Sequence, residues 1–202
     1  MVKKYSLKTQ KNYALSKNFK VSEFACKDGS DTVLIDTDLV ELLQKIRDHF
    51  GQPVTINSAF RNVTYNKKIG GASKSQHIQG TAADIVVKNV KPELVAQYVE
   101  FLMSQAGGIG LYSNFVHVDV RKNRARWKNF GKEVAVSGFP GYKKPLQKLE
   151  SGNDIVWELI NGKYKIKITD IPKAVKALDK AKTNTEFNSL YWILYKLVNG
   201  NG

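Results

Sequence analysis

Residues 115–120 read Phe-Val-His-Val-Asp-Val, and this alternation constrains the fold more than any other stretch of the 202-residue chain. Successive side chains of an extended strand point to opposite faces, so Val116, Val118 and Val120 share one face while Phe115, His117 and Asp119 share the other. Three valines call for a core. An imidazole beside a carboxylate calls for water, a polar partner or a cation. The strand therefore belongs in a sheet with one packed face and one open face. Residues 82–87 repeat the pattern, with Asp84 opposite Ala83, Ile85 and Val87.

Two amphipathic segments are suited to cover the packed face. From Asp38 to Phe50, Leu39, Leu42, Leu43, Ile46 and Phe50 fall on one stripe, with Asp38 and Glu41 spaced as a capping box and Gly51 then Pro53 at the end. Pro92 opens a second helix that carries Leu94, Val95, Tyr98, Val99 and Leu102 and stops before Gly107-Gly108. A short strand at 54–59 precedes a polar, glycine-bearing loop at 61–79. The expected class is α+β: a small antiparallel sheet with helices packed on one face and a zinc groove on the other, plus a small, mainly helical C-terminal unit.

The groove is expected from the donors available. One cysteine, Cys26, rules out an intramolecular disulfide and a cysteine cluster, and it receives no role. With three histidines (His49, His77 and His117), any metal site must include carboxylates. Catalytic zinc takes three protein ligands and keeps a position open for water. Ser75-Gln76-His77-Ile78-Gln79-Gly80-Thr81-Ala82-Ala83-Asp84, followed some thirty residues on by His117-Val118-Asp119, supplies such a set in His77, Asp84 and His117. His49, in the last turn of the first helix, is read as structural or surface. Arg121, Lys122, Arg124, Arg126 and Trp127 are read as a solvated strand end, with an anion site beside the groove as the alternative.

These segments resemble the zinc D-Ala-D-Ala carboxypeptidase family of peptidoglycan peptidases, which shares its fold with hedgehog signalling domains. The resemblance runs over residues 19–127. It includes Ser22-Glu23-Phe24, Ser58-Ala59-Phe60-Arg61, Gly70-Gly71-Ala72, Ser75 to Asp84, Gly108-Ile109-Gly110 and Phe115 to Arg121. It implies one zinc ion on His77, Asp84 and His117, with Arg61 near the substrate, where a guanidinium pairs with a terminal carboxylate or a developing oxyanion. Many relatives place an acidic general base three residues before the second zinc histidine. Here that position is Asn114, which takes no proton from water. Asp119 is the nearest substitute, either as base or by orienting His117.

The formal net charge is +14, and most of the surplus lies early: 24 basic and 13 acidic residues precede position 151, against 8 and 5 after it. Such a surplus favours polyanionic partners, among them anionic wall polymers. A nucleic-acid partner is not expected, because no recognition motif accompanies the charge. No apolar leader or membrane span is read in the sequence. The functional expectation is a zinc-dependent peptidoglycan peptidase, either a D-Ala-D-Ala carboxypeptidase or a stem-peptide endopeptidase, of phage or prophage endolysin type, made in the cytoplasm and acting on the wall after holin-type release or within a phage particle. The alternative is a zinc-binding but inactive wall-binding or structural module.

The expected domains are a peptidase domain at 1–136 with a basic arm at 1–20, a linker at 137–152, and a helical module at 153–202. Within the last, helices are read over 155–160, from Asp170 through Ala181, and from Phe187 to Leu197, although Asn161-Gly162 also signals a hairpin. The module is read as wall-targeting or as a packing appendage.

Overall fold

The computed structural model describes residues 1–142 and, beyond them, the backbone of three strands. The chain divides into two compact units, Met1–Tyr142 and Lys143–Gly202.

In the first unit the elements run β1 (Val2–Ser6), α1 (Leu7–Gln10), a 3-10 turn (Val21–Phe24), β2 (Thr32–Asp36), α2 (Thr37–Phe50), β3 (Val54–Ser58), α3 (Val63–Lys68), β4 (Ala82–Val87), α4 (Pro92–Leu102), β5 (Gly108–Tyr112), β6 (Val116–Asp119), β7 (Ala125–Asn129) and β8 (Glu133–Ala135). The main sheet has six strands in the order β3-β4-β6-β5-β7-β8, and β1 pairs with β2 in a separate two-stranded sheet. Among the described residues, no helix is long and apolar enough to cross a membrane.

The packed face forms as the alternation requires. Ala83, Ile85 and Val87 of β4, Ile109 and Leu111 of β5, and Val116 and Val118 of β6 are at most 2 % exposed. Against them lie Leu39, Leu42, Leu43 and Ile46 of α2 and Val95, Ala96 and Val99 of α4, all in one core cluster. Each such side chain contributes about 1.5–3 kcal/mol on burial, so the two stripes and the strand faces specify one another. Asp36 caps α2, accepting from the Asp38 amide at 2.8 Å, and Gly51 ends the helix at φ 60°. The cap is thus Asp36 rather than the expected Asp38: the chain enters the helix directly from β2, which puts Asp36 first in line for the free amides.

Five further expectations change. The sheet is mixed rather than antiparallel, because β7 runs parallel to β5. After β6 the chain arches past the start of β5, where the Gly107 amide donates to the Arg121 carbonyl and the Ala125 amide to the Gly107 carbonyl. The basic arm at 1–20 opens with a structural strand: β1 pairs with β2 from Val2↔Asp36 to Ser6↔Thr32. The loop at 61–79 contains α3, capped by Asn62, which accepts from the Tyr65 amide at 2.7 Å. Of the residues read as a solvated strand end, Arg126 and Trp127 lie in β7, and Arg126 is only 4 % exposed, whereas Lys122 and Arg124 are exposed. The Arg126 guanidinium meets Glu100 at 2.6 Å and the carbonyls of Met103, Ala106, Gly107 and Ala125. The unit also runs past residue 136: Phe139 is 5 % exposed, and its amide donates to Glu100.

In the second unit β9 (Gln147–Ser151), β10 (Asp154–Glu158) and β11 (Lys165–Lys167) form an antiparallel sheet in the order β11-β10-β9. Strand β9 falls in the expected linker, and β10 replaces the helix expected over 155–160. Strands β10 and β11 flank Asn161-Gly162, the dipeptide favoured in tight hairpins, and pairing with β9 supplies the backbone partners that a lone apolar run would take from a helix. The helices expected at 170–181 and 187–197 lie outside the described residues.

Candidate metal centre

Strand register assembles the site. Ser58, Asp84, His117 and Gly110 are lateral neighbours across β3, β4, β6 and β5. Asp84 and His117 reach the face away from the helices because their neighbours in sequence fill the core. Ser58 arrives there by a different route. Val54 and Ile56 pair with core-facing Val87 and Ile85, and a register shift between Ile56 and Ser58 then sets Ser58 opposite Asp84. Such an extra residue re-aims the side chain that follows it.

His77 comes from the turn before β4, and its Nδ1–H donates to the Ala59 carbonyl at 2.7 Å. A carbonyl only accepts, so the proton sits on Nδ1 and Nε2 is left with a lone pair. That Nε2 lies 3.3 Å from both His117 Nδ1 and Asp84 Oδ1, and the latter two atoms are 2.9 Å apart. His117 Nε2 meets Asp119 Oδ2 at 3.0 Å. Asp119 is fully buried, and its other contacts are all donors: the Gly108 amide and the Arg121 amide, Nε and NH2.

A neutral imidazole carries one N–H, yet His117 has a carboxylate oxygen at each ring nitrogen. With its one proton toward Asp119, neutral His117 joins His77 and Asp84 in turning an acceptor atom toward one point, an arrangement that either a second proton on His117 or a bound metal ion relieves. Ligands bonded to a small divalent ion at about 2.0–2.1 Å in a tetrahedron lie about 3.3 Å from one another. The observed edges of 2.9–3.3 Å fit that spacing. The three residues fit a metal ion, and they form a cluster whose ligand atoms all lie within 4.8 Å.

The electrostatics agree. Burial would raise the Asp84 carboxyl, but the neighbouring His117 and His77 rings outweigh it and hold the group well below the usual carboxylate range. Burial likewise opposes the shift at Asp119, where His117 and Arg121 keep the carboxylate ionised. For His117, burial disfavours the charged ring, and Asp119 and Asp84 overcome it, so its pKa is raised. A metal must displace that proton to bind.

Arg61 is held at the β3 end. Its Nε donates to Ser58 Oγ at 2.9 Å and its NH2 to Asp84 Oδ2 at 2.7 Å, which turns the other oxygen of Asp84 toward the two histidines. Asn114 lies exposed in the turn between β5 and β6. His49 stacks on Tyr98 with ring centroids 3.8 Å apart.

Gly108 and Gly110 carry no side chain that signals a role in the sequence, and the structure shows their use. A Cβ on Gly108 would fall on the Asp119 carboxylate, and one on Gly110 inside the indole of Trp127. Their bare backbone lets a side chain from each neighbouring strand lie across β5 toward His117.

The profile of the Peptidase M15 family matches residues 17–119, a span that contains Arg61, His77, Asp84, His117 and Asp119. The chain belongs to this family. Within the M15 peptidases it is similar to the zinc D-Ala-D-Ala carboxypeptidase of Streptomyces albus G, with 50% identity over 44 residues covering 21% of this chain and 17% of that protein. It is also similar to the peptidoglycan L,D-endopeptidase MepK of Escherichia coli (strain K12), with 32% identity over 94 residues covering 42% of this chain and 50% of that protein. The chain thus spans half or less of the length of each of these relatives. The family match ends at Asp119, so Arg121 and Trp127, which flank the triad, lie beyond it.

Proposed function

We propose that this M15 chain is a zinc-dependent peptidase of peptidoglycan stem peptides, with one zinc ion held by His77, Asp84 and His117. The observation that supports it best is the convergence of three acceptor atoms at metal-ligand spacing inside the family-matched segment. The names of the two relatives, a carboxypeptidase and an endopeptidase of peptidoglycan, support the substrate class. When bound, zinc would supply Lewis acidity to the peptide carbonyl and bring a water within reach of ionisation near neutral pH.

The protein's own residues do the rest. Ala59 and Asp119 set the tautomers of His77 and His117, so that each presents a lone pair to the metal. Arg61 keeps Asp84 aimed by one oxygen and offers its remaining N–H groups to a substrate carboxylate or to the charge that develops on the carbonyl. Asp119 is assigned as a positioning residue. It faces the nitrogen of His117 turned away from the triad, and its oxygens are already taken by His117, Gly108 and Arg121. The surplus of positive charge supports attraction to anionic wall polymers. The finer endolysin reading is tested by loss of turbidity when pure protein is added to wall suspensions.

A second reading is favoured by Asn114: a zinc-binding module that binds walls without cutting. Two measurements separate the readings. One equivalent of zinc is expected to bind, and His77→Ala, Asp84→Ala or His117→Ala is expected to abolish stoichiometric binding. A protein that holds no zinc refutes the site. Mass spectrometry of muropeptides incubated with the zinc-loaded protein is expected to show a cleaved stem, and an unchanged profile across several peptidoglycan types would leave the binding module standing.

A further inference from the structure

The face that carries the triad is charged at one end and aromatic at the other. On the β3 side it ends in Ser58 and the Arg61 guanidinium. On the β7 side Trp127 is the lateral neighbour of Gly110. Its indole lies over that glycine and contacts the His117 ring, with centroids 5.1 Å apart. The Trp127 Nε1–H donates to the Tyr112 hydroxyl at 3.3 Å, and Tyr112 stacks on Phe115 at 4.2 Å and 12°. All three rings are half-buried, and the Arg121 guanidinium, itself committed to Asp119, lies 5.8 Å from the indole centroid. These rings lie on the face opposite the core formed by Ile109, Leu111, Val116 and Val118. They supply no ligand atom to the triad, yet they are built into a continuous wall against one of its histidines.

We propose that Trp127, with Tyr112 and Phe115, forms a subsite that reads the alkyl side chain of the substrate residue adjoining the bond that is cut. This deepens the peptidase reading and rests on it. Distance selects the ligand. An extended peptide advances about 3.3–3.6 Å per residue, so a wall one ring beyond His117 meets the residue next to the reacting carbonyl and not the glycan several residues away. Chemistry selects it as well: the ring faces are apolar, and the N–H of Trp127 is already donated. A carboxylate belongs at the Arg61 end, and a C–H surface belongs here. The groove thereby gains a direction across the strands, with the charged part of the peptide over β3 and its alkyl group over β5 and β7.

The experiment compares zinc-loaded wild type with Trp127→Ala on synthetic stem peptides. Each alanyl residue flanking the cleaved bond, located by mass spectrometry, is replaced in turn by glycine. Wild type is expected to prefer the alanyl peptide at one of these positions by about tenfold in kcat/KM, mainly through KM. Trp127→Ala is expected to lose that preference, with its fall in kcat/KM on the alanyl peptide exceeding its fall on the glycyl peptide by about tenfold. Equal losses on both peptides, at unchanged zinc content, would overturn the subsite, since the indole would then only support His117. Trp127→Leu is read in the same way if the alanine variant does not fold. If wild type cuts neither peptide, the peptidase reading has failed by itself, and calorimetric binding of the two peptides decides the subsite: a preference that depends on Trp127 supports it, and equal binding overturns it.

Discussion

Asp119 and Glu100 are two carboxylates in the same chemical situation on opposite assignments. Each is largely withdrawn from water, and each is paired with a guanidinium from the 121–126 segment, Arg121 for Asp119 and Arg126 with Arg124 for Glu100. In both cases burial pushes the pKa up and the hydrogen-bonded partners pull it below the ordinary value. The third partner differs. Asp119 also holds His117, whereas Glu100 also holds the Phe139 amide and, through Arg126, the carbonyls that end α4. One pair aims a candidate ligand, and the other ties helix α4 to strand β7. A buried ion pair is thus no functional signal until its next neighbour is known.

The comparison can be broken by mutation. The largest effect is expected from Glu100→Ala, which leaves the buried Arg126 charge without its carboxylate and costs about 3–5 kcal/mol of stability. Denaturant melts of the metal-free protein measure it, and zinc affinity at a temperature where the variant is folded is expected to stay at the wild-type value. Asp119→Asn reverses the pattern. Zinc affinity is expected to fall about 10–100-fold, because His117 loses the acceptor that sets its tautomer and basicity. The loss of stability is expected to be smaller than for Glu100→Ala, since the Arg121 side chain is 31% exposed and can turn to water. If both variants lose zinc affinity alike, the two pairs do not divide the labour as described.

The smallest effect is in acid. The pKa of Glu100 is depressed in the fold, so its contribution is present above the ordinary value of 4.5 and is lost as pH falls through the depressed one. Metal-free wild type is expected to lose stability on acidification below that point, and Glu100→Gln to show a shallower slope there. Parallel slopes would mean that other carboxylates carry the acid transition.

Much of the fold was legible where a local pattern faces a single environment. Helices α2 and α4 and strands β4 and β6 follow from their stripes and alternation, and His77, Asp84 and His117 stand out by residue type and spacing. Other parts were not legible. Strand β5, Gly-Ile-Gly-Leu-Tyr, has no polar alternation, because the face toward the site is kept bare for side chains that arrive from β6 and β7. Strand β7 has Arg126 inward and Trp127 toward the site, the reverse of the usual reading, since the carbonyls at the end of α4 and Glu100 satisfy the buried guanidinium. Strand β10 reads as a helix in isolation, because its neighbours in the sheet are not visible in its own residues.

The sequence by itself determined which residues are able to bind a metal and which faces of β4 and β6 they occupy, because alternation and helical periodicity are properties of consecutive residues. Tertiary structure alone decided the rest. The register shift in β3 brought Ser58 and Arg61 to Asp84, the Ala59 carbonyl and the Asp119 carboxylate chose the tautomers of the two histidines, and the parallel pairing of β7 with β5 laid Trp127 beside His117. Those are contacts between residues distant in the chain, and the energy that selects them is the satisfaction of buried polar groups, which no single segment contains.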